Sequence, residues 1–300
     1  MSALIFGSMA YDTIIKYEGL FKDRIDFSNT PLNASFLAST MNRYFGGCAG
    51  NIAYGLKILG MNPKIVATMG EDANDYLQYL KQIDIDNTYI KIIENYFTVQ
   101  LSITNDLEQN QINTFYPGAM AYSHDNDLYI KDINNYTIGI VSPDGKEGMI
   151  KHINNLYEAK LITIFDPGQA LPLFNKSELI ECISKSNYLI VNDYEYSLLN
   201  KIINLNQQDI INNFKLSALI ITLAEQGACL YTKDKQPEII STKASLNIQD
   251  PTGCGDAFRA GFIYGLEHGL ELSKCIVIAN KMGTHKINYC GGQGYPAIKI

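Results

Sequence analysis

The sequence predicts an α/β protein with a doubly wound, mostly parallel sheet flanked by helices and a small β-sheet lid. After residue 122, continuous apolar runs alternate with segments of helix length, which indicates a parallel sheet covered on both faces. Between residues 88 and 120, three strand-like runs follow each other too closely for helices to separate them. That spacing is typical of an antiparallel meander or flap.

The first third of the chain predicts the beginning of the large sheet. An apolar run at 2–10 is interrupted by a Gly-Ser pair, as a buried strand ending at a ligand-facing turn would be. Small residues precede apolar positions in 46–60, which predicts a helix. Residues 64–70 have the pattern of a strand, and 72–83 that of a helix with an acidic or Asn cap.

The predicted lid consists of two segments, about 13–45 and 88–120, inserted in the large α/β domain. The second segment contains the three strand-like runs, which lie at 88–93, 97–105 and 111–118. The first segment is mixed and irregular in composition. Together they predict a flap that lies over one edge of the domain.

The remainder of the chain predicts the rest of the sheet and its last helices. Apolar strand-like runs lie at 137–142, 160–168, 187–193 and 218–232. Helices are predicted at about 256–268 and 272–286. No repeat or flexible linker divides the chain, so residues 1–300 are predicted to form a single domain carrying the lid.

Composition and charge exclude several classes of function. With 46% hydrophobic and 18% charged residues, the chain has the composition of a folded globular protein. The net charge is −7 and no long Lys/Arg run occurs, which disfavours nucleic acid and anionic membranes as partners. The six cysteines are scattered without metal-ligand spacing. Because the N-terminus lacks the features of a signal peptide, we expect a cytoplasmic protein.

The stretch DPTGCGDAFRAGF, at 250–262, carries the main chemical signal. The small residues ahead of Asp256 leave the backbone bare where a helix begins, so unpaired N–H groups and the positive end of the helix dipole point outward. The predicted anion hole consists of Gly253, Cys254 and Gly255. Asp256 then suits a base that accepts a proton from a hydroxyl attacking a bound phosphoryl group. The alternative is that Asp256 only caps the helix.

Two further stretches carry polar groups that suit a polyol and a metal. Asp12 follows the first strand and Asn51 follows a Gly-rich run, and together they fit the hydroxyls of a ribose diol. Tight glycine packing and a helix-capping Asn51 explain the same pattern equally well. Asn192 and Glu195 end another strand three positions apart, where an acid–amide pair can order the waters around Mg²⁺. Taken alone, that spacing is a weak signal.

Together and in this order, these stretches resemble the ribokinase (PfkB) family of sugar and nucleoside kinases, over essentially the whole chain. In that family a GG…N segment binds substrate, an NxxE element supports Mg²⁺, and a DTGAGD element carries the anion hole and the catalytic base. The spellings FYPGAM (115–120), NDYE (192–195) and DPTGCGDAFRAGF are most similar to those of the bacterial ribokinase-like adenosine kinases. Pro251 departs from the commonest sugar-kinase spelling but leaves the base motif intact.

The resemblance implies a ribokinase-like fold and a role for further residues. The lid would stack Phe115 on the adenine, with flap packing as the alternative role, and Gln169 would reach the base. The nucleoside site implied by the resemblance also includes Ser8, Asp12, Gly46, Gly47 and Asn51. The residues associated with ATP and Mg²⁺ are Asn192, Glu195, Thr222 and Thr252. Ala170 stands where that branch can carry a second Gln, which leaves base specificity open.

The activity implied is transfer of the γ-phosphoryl group of ATP to the 5′-hydroxyl of adenosine, giving AMP and ADP in purine salvage. Mg²⁺ would accompany ATP. The family also suggests a monovalent cation such as K⁺ that orders the anion-hole loop, and a homodimer formed through the lid. Two alternatives stay open: a ribokinase- or fructokinase-like sugar kinase, and a nucleoside-binding sensor without catalysis.

Overall fold

A nine-stranded sheet with helices on both faces forms the body of the molecule, and a four-stranded sheet lies beside it. The computed structural model describes residues 3–25, 33–126, 133–214, 216–243, 245 and 247–300. Part of the predicted lid, at 26–32, lies outside the described residues. Within the described ranges, no helix combines the length and the apolar character needed to cross a bilayer.

The strands of the described chain follow in order. They are β1 (Leu4–Phe6), β2 (Ala10–Tyr17), β3 (Ala38–Gly46), β4 (Lys64–Met69), β5 (Ile90–Ile92), β6 (Val99–Asn105), β7 (Gln111–Tyr116), β8 (Ile138–Val141), β9 (Ile162–Phe165), β10 (Tyr188–Asn192), β11 (Ala218–Thr222), β12 (Ala228–Tyr231) and β13 (Glu238–Ile240). The α-helices are α1 (Cys48–Ile58), α2 (Asn74–Gln82), α3 (Lys146–Glu158), α4 (Lys176–Ser184), α5 (Asp193–Ile203), α6 (Gln207–Phe214), α7 (Cys254–Glu267) and α8 (Leu272–Lys286).

The large sheet has the strand order β13-β12-β11-β10-β9-β8-β1-β4-β5. Its pairings are parallel from β11 to β5, and β12 and β13 add an antiparallel edge. Successive residues of a strand point to opposite faces of the sheet. In β1, therefore, Ile5 packs into the core under α1, α2, α7 and α8, while Leu4 and Phe6 pack into the core under α3 to α6. The predicted doubly wound architecture is confirmed.

The lid is a mixed sheet in the order β3-β2-β6-β7. Strand β2 pairs antiparallel with β3 and parallel with β6, and β6 pairs antiparallel with β7. Only three residues separate the end of β1 from the start of β2, so the chain passes directly from the large sheet into the lid. That short connection places the lid over the carboxyl end of β1.

One of the three closely spaced runs predicted for the lid belongs to the large sheet instead. The run at 88–93 forms β5, which pairs in parallel with β4 of the large sheet and not with the lid. The backbone N–H of Ile93 also donates to the carbonyl of Met69 at 2.8 Å. Only the two later runs, as β6 and β7, belong to the lid. The lid segment predicted at 88–120 is therefore too long at its beginning.

Helix α7 is held against the sheet by an aromatic contact deep in the core. The ring of Phe262 meets the ring of Tyr188, at the start of β10, edge to face with centroids 5.4 Å apart. Phe262 is fully buried. Any group presented at the amino end of α7 is positioned by this packing.

We expect Phe262→Ala to reduce the free energy of unfolding by about 3–5 kcal/mol, because it removes a buried ring and leaves a cavity. Urea unfolding followed by circular dichroism measures the change. Val277→Ala, on the exposed side of α8, is the control and should change stability by less than about 1 kcal/mol. A loss of similar size in both variants would contradict the role assigned to the Phe262–Tyr188 contact.

Candidate active site

An open cavity of about 820 Å³ lies where the strands of the large sheet end and the lid begins. Ser8 follows β1, Asp144 follows β8 and Asp166 follows β9. Asn192 and Thr222 are the last residues of β10 and β11. All five line the cavity. Because open α/β sheets bind ligands at the carboxyl ends of their strands, this cavity is the candidate active site.

Most of the predicted site residues line this cavity. They are Ser8, Asp12, Gly47, Asn51, Phe115, Gln169, Asn192, Glu195, Thr222, Thr252, Gly253, Gly255 and Asp256. Gly46 is not in the lining but lies behind Asp12, where a Cβ would come within 2.2 Å of the Asp12 Oδ2. A glycine at 46 therefore makes room for the carboxylate, which is a supporting role instead of the predicted contact with substrate.

The amino end of α7 presents backbone N–H groups to the cavity. Gly253 precedes the helix with φ of 76°, a left-handed conformation that glycine adopts without strain. Within the described residues, the N–H groups of Gly253 and Gly255 donate to no protein acceptor. The N–H of Cys254, in contrast, donates to the carbonyl of Pro251 at 3.1 Å. Two of the three amides predicted for the anion hole are thus available to a ligand.

The carboxylate of Asp256 is held beside those amides by a chain of hydrogen bonds. Asn51 Nδ2 donates to Asp256 Oδ2 at 2.8 Å, and Gln293 Nε2 donates to Asn51 Oδ1 at 3.1 Å. Gln293 also donates to the hydroxyl of Tyr76, which donates in turn to the carbonyl of Gly46. The Asn51 amide is therefore held on both sides, and its Nδ2 orients the carboxylate of Asp256.

Burial raises the pKa of Asp256 to about 6, although the hydrogen bond from Asn51 and the charge of Arg259 act in the opposite direction. Burial likewise raises the pKa of Asp12 to about 6, and the charges of Asp256 and Asp250 add to that shift. Two carboxyl groups whose pKa values lie near neutrality thus face one cavity. Groups of this kind are typical of proton-transfer sites.

A buried ion pair lies at the end of the cavity that contains Asp256. Arg259 donates from Nε and Nη2 to the two carboxylate oxygens of Asp166, at 2.8 and 3.0 Å. Its Nη1 donates to the carbonyl of Gly255 at 3.2 Å. The pair thereby connects the loop after β9 to the first turn of α7, and breaking it would leave an uncompensated buried charge.

Asn192 and Glu195 form the capping box of α5. The side chain of Asn192 accepts from the N–H of Glu195, and the side chain of Glu195 accepts from the N–H of Asn192, both at 2.7 Å. These bonds use one oxygen of each side chain. The second carboxylate oxygen of Glu195 and the amide nitrogen of Asn192 remain for other partners. The pair is both a helix cap and a candidate support for Mg²⁺.

The lid contributes an apolar wall to the opposite part of the cavity. Phe115 on β7 pairs with Leu101 on β6, and both line the cavity. Phe115 is half-exposed, with 51% of its surface accessible. Gln169 and Ala170 lie across from the lid in the turn after β9 and also line the cavity. The aromatic ring of Phe115, the apolar side chain of Leu101 and the amide of Gln169 together suit a planar base better than a sugar hydroxyl.

Several residues of the site carry no signal that identified them in the sequence. Arg259 lies inside the motif at 250–262 but has the pattern of an amphipathic helix, and Asp144 has that of a loop residue. Asp166 begins a strand-end loop that the sequence does mark as ligand-facing, but only Gln169 of that loop is a predicted site residue. Gln293 lies in a Gly-Gly-Gln-Gly run near the C-terminus, and that run is the one feature that could have indicated a close backbone approach. Asp144 is buried, which raises its pKa to about 8.

A strand-end cavity with free amides at a helix start and a carboxylate beside them is the arrangement expected of an α/β phosphotransferase. The chain belongs to the pfkB family of carbohydrate kinases, whose family model matches residues 2–298.

Several relatives have known names or structures. A nucleoside kinase of Methanocaldococcus jannaschii is 35% identical over 263 residues, which cover 87% of this chain and 85% of that protein. The structure of Burkholderia thailandensis nucleoside kinase in complex with inosine has a TM-score of 0.86 and 40% identity, covering 98% of this chain and 93% of that one. The same enzyme in complex with ADP-inosine gives a TM-score of 0.83 and 41% identity, covering 98% and 91%.

We expect Asp256→Asn to stabilise the protein at pH 7.5 by about 1–3 kcal/mol. The carboxyl binds its proton more tightly in the folded state, with a pKa of about 6, than in the unfolded chain. Its contribution to stability therefore falls as pH rises from about 4 through 6, and the amide removes that cost.

Urea unfolding at pH 7.5 and at about pH 4 tests this expectation, and the gain should disappear at the lower pH. Asp234→Asn, in the exposed turn between β12 and β13, is the matched control and should change little. A stability gain that is equal at both pH values would contradict the raised pKa.

Proposed function

We propose that this chain is an ATP-dependent nucleoside kinase that transfers the γ-phosphoryl group of ATP to the 5′-hydroxyl of adenosine, giving AMP and ADP. The observation that carries the proposal is the juxtaposition of Asp256 with the free amides of Gly253 and Gly255 at one end of a cavity whose other wall is apolar. Phosphoryl transfer needs a group that positions and deprotonates the alcohol and donors that stabilise the transferring charge. Asp256 can serve as the first of these groups, and the amides of Gly253 and Gly255 can serve as the donors.

In this mechanism Asp256 accepts the proton of the attacking hydroxyl. Its carboxylate is held by Asn51, and its pKa of about 6 leaves it ionised at neutral pH while keeping it a better base than an ordinary Asp. The amides of Gly253 and Gly255 donate to the transferring phosphoryl group. Asp12 accepts hydrogen bonds from the ribose hydroxyls. Closure of the lid would exclude water and so limit hydrolysis of ATP.

The residues near the phosphate end fit a magnesium ion held through water. Glu195 keeps one carboxylate oxygen outside its capping box, and its neighbour Asn192 keeps its amide nitrogen. The described residues include no cluster of three or more acidic, His or Cys side chains that would bind a metal directly. That is compatible with Mg²⁺, which retains several of its own waters and arrives with the nucleotide. When bound, Mg²⁺ would neutralise charge on the phosphates.

The apolar wall made by Phe115 and Leu101 favours a nucleoside over a free sugar. The similarity to nucleoside kinases points the same way, and the Burkholderia relative binds inosine. Inosine is therefore the principal competitor of adenosine as the preferred substrate. Because Ala170 has a short side chain, the base end of the cavity should be less specific for one base than it would be with a second glutamine.

A substrate panel tests the proposal directly. With Mg-ATP, we expect ADP release with adenosine, inosine and guanosine. We expect at least about tenfold lower kcat/KM with ribose and fructose, because free sugars lack a base that packs against the apolar wall. A coupled ADP assay measures the rates. Preference for a free sugar would establish the sugar-kinase alternative, and binding of adenosine without ADP release would establish a sensor.

The lid contact has its own test. We expect Phe115→Ala to raise the KM for adenosine about tenfold, because stacking of a base on an aromatic ring stabilises it by roughly 1–3 kcal/mol. Tyr157→Ala, at an exposed aromatic position on α3, is the control. An unchanged KM for adenosine in Phe115→Ala would assign that ring to packing of the lid alone.

Removal of the base separates catalysis from binding. We expect Asp256→Asn to reduce kcat on the order of 100-fold or more while changing the dissociation constant of adenosine little. Initial rates and calorimetric titration measure the two quantities, with Asp234→Asn as the control. Near-normal turnover in Asp256→Asn would remove this residue from the reaction.

A further inference from the structure

Lys286, the last residue of α8, is a buried lysine that the mechanism above does not use. The residue is 0% exposed, and its Nζ donates to the backbone carbonyl of Asp250 at 2.7 Å. In the part of the chain that the structure describes, Lys286 forms no direct ion pair with a carboxylate. A lysine is almost never fully buried without such a partner. Its position therefore needs a reason other than packing.

The acceptor of that hydrogen bond belongs to the turn that leads into the anion hole. The carboxylate of Asp250 accepts from the N–H of Thr252 at 2.8 Å and from the N–H of Gly291 at 2.7 Å. Burial would raise the pKa of Asp250, but these hydrogen bonds and the charge of Lys286 lower it below its usual value. Asp250 is therefore ionised, and the turn ahead of Gly253 is fixed by donors on every oxygen of Asp250.

This arrangement does not fit the monovalent cation that the family resemblance suggests for the loop. A cation at this turn would need oxygen ligands, and Asp250 offers a carbonyl and two carboxylate oxygens. The carbonyl accepts from the Lys286 ammonium, and each carboxylate oxygen accepts from a backbone N–H, so one lone pair of every oxygen is already used. A second positive charge bound to Asp250 would also be repelled by the ammonium beside it.

We propose that the ammonium of Lys286 is the resident cation of the Asp250–Gly253 turn and makes phosphoryl transfer independent of alkali ions. The proposal rests on the kinase function proposed above. Lys286 is a positioning residue: it does not reach the substrate but fixes the carbonyl of Asp250, and with it the direction of the amides at Gly253 and Gly255. A positive charge behind those amides also favours the phosphate they bind.

The test compares the cation response of the wild-type protein with that of Lys286→Met, which preserves side-chain length without the charge. Rates with Mg-ATP and the best nucleoside are measured in potassium, ammonium, sodium or tetramethylammonium chloride at a constant ionic strength of about 100 mM. We expect a flat response in the wild type. In Lys286→Met we expect kcat to fall about tenfold with KM nearly unchanged, and potassium or ammonium to restore part of it.

Lys286→Arg, which keeps the charge, should retain a flat response and serves as the matched control. Activation of the wild type by potassium, of about threefold or more over tetramethylammonium, would overturn the proposal. So would full activity of Lys286→Met in every salt. The wild-type result stands even if Lys286→Met does not fold.

A second readout does not depend on turnover. The melting temperature of the wild-type protein should be the same in potassium and tetramethylammonium chloride, whereas that of Lys286→Met should rise in potassium. Failure of the proposed kinase function would appear as absence of ADP release with every substrate in every salt. Failure of the present inference would appear as a potassium-dependent rise in the wild-type melting temperature.

Discussion

Helix α1, from the first fifth of the chain, and helix α7, near its end, meet at the hydrogen bond of 2.8 Å from Asn51 Nδ2 to Asp256 Oδ2. This bond fixes the carboxylate next to the amides that open α7. Gln293 holds the other side of the Asn51 amide, so the orientation of the Asp256 carboxylate is determined by three segments, two of which are far from the third in sequence. The carboxylate of Asp256 reaches this arrangement only when both ends of the chain have folded onto the same sheet.

The burial and the charges around this bond explain the raised pKa of Asp256. Asp12, Asp166, Glu195 and Asp256 line one cavity with the single guanidinium of Arg259 among them. Arg259 is committed to Asp166 by two hydrogen bonds, so its charge compensates the other carboxylates only in part. Burial therefore dominates at Asp256 and raises its pKa to about 6. A buried carboxyl group whose pKa is raised in this way lowers folding stability at neutral pH, which is common at functional sites.

The turn ahead of α7 and the lid form the two ends of the cavity, and these ends differ in polarity. At the end formed by the start of α7, backbone amides and the buried ammonium of Lys286 favour negative charge. At the lid end, Phe115 and Leu101 present apolar surface without a charge of their own. A ligand with a planar base at one end and a hydroxyl directed to the other would satisfy both. This polarity underlies the assignment of nucleoside and phosphoryl group to opposite ends.

The sequence by itself determined the elements whose signal is local: the strands of the parallel sheet, the helix at 272–286, and Asp256 at a glycine-rich helix start. Hydrophobic periodicity and helix capping depend on residues that are close in sequence. The elements that they produce can therefore be predicted from the sequence. Tertiary structure decided which sheet receives the run at 88–93, since three adjacent strands contain no information on their partners. It also decided the pairing of Asp166 with Arg259 and the burial of Lys286, because those contacts join residues that only the completed fold brings together.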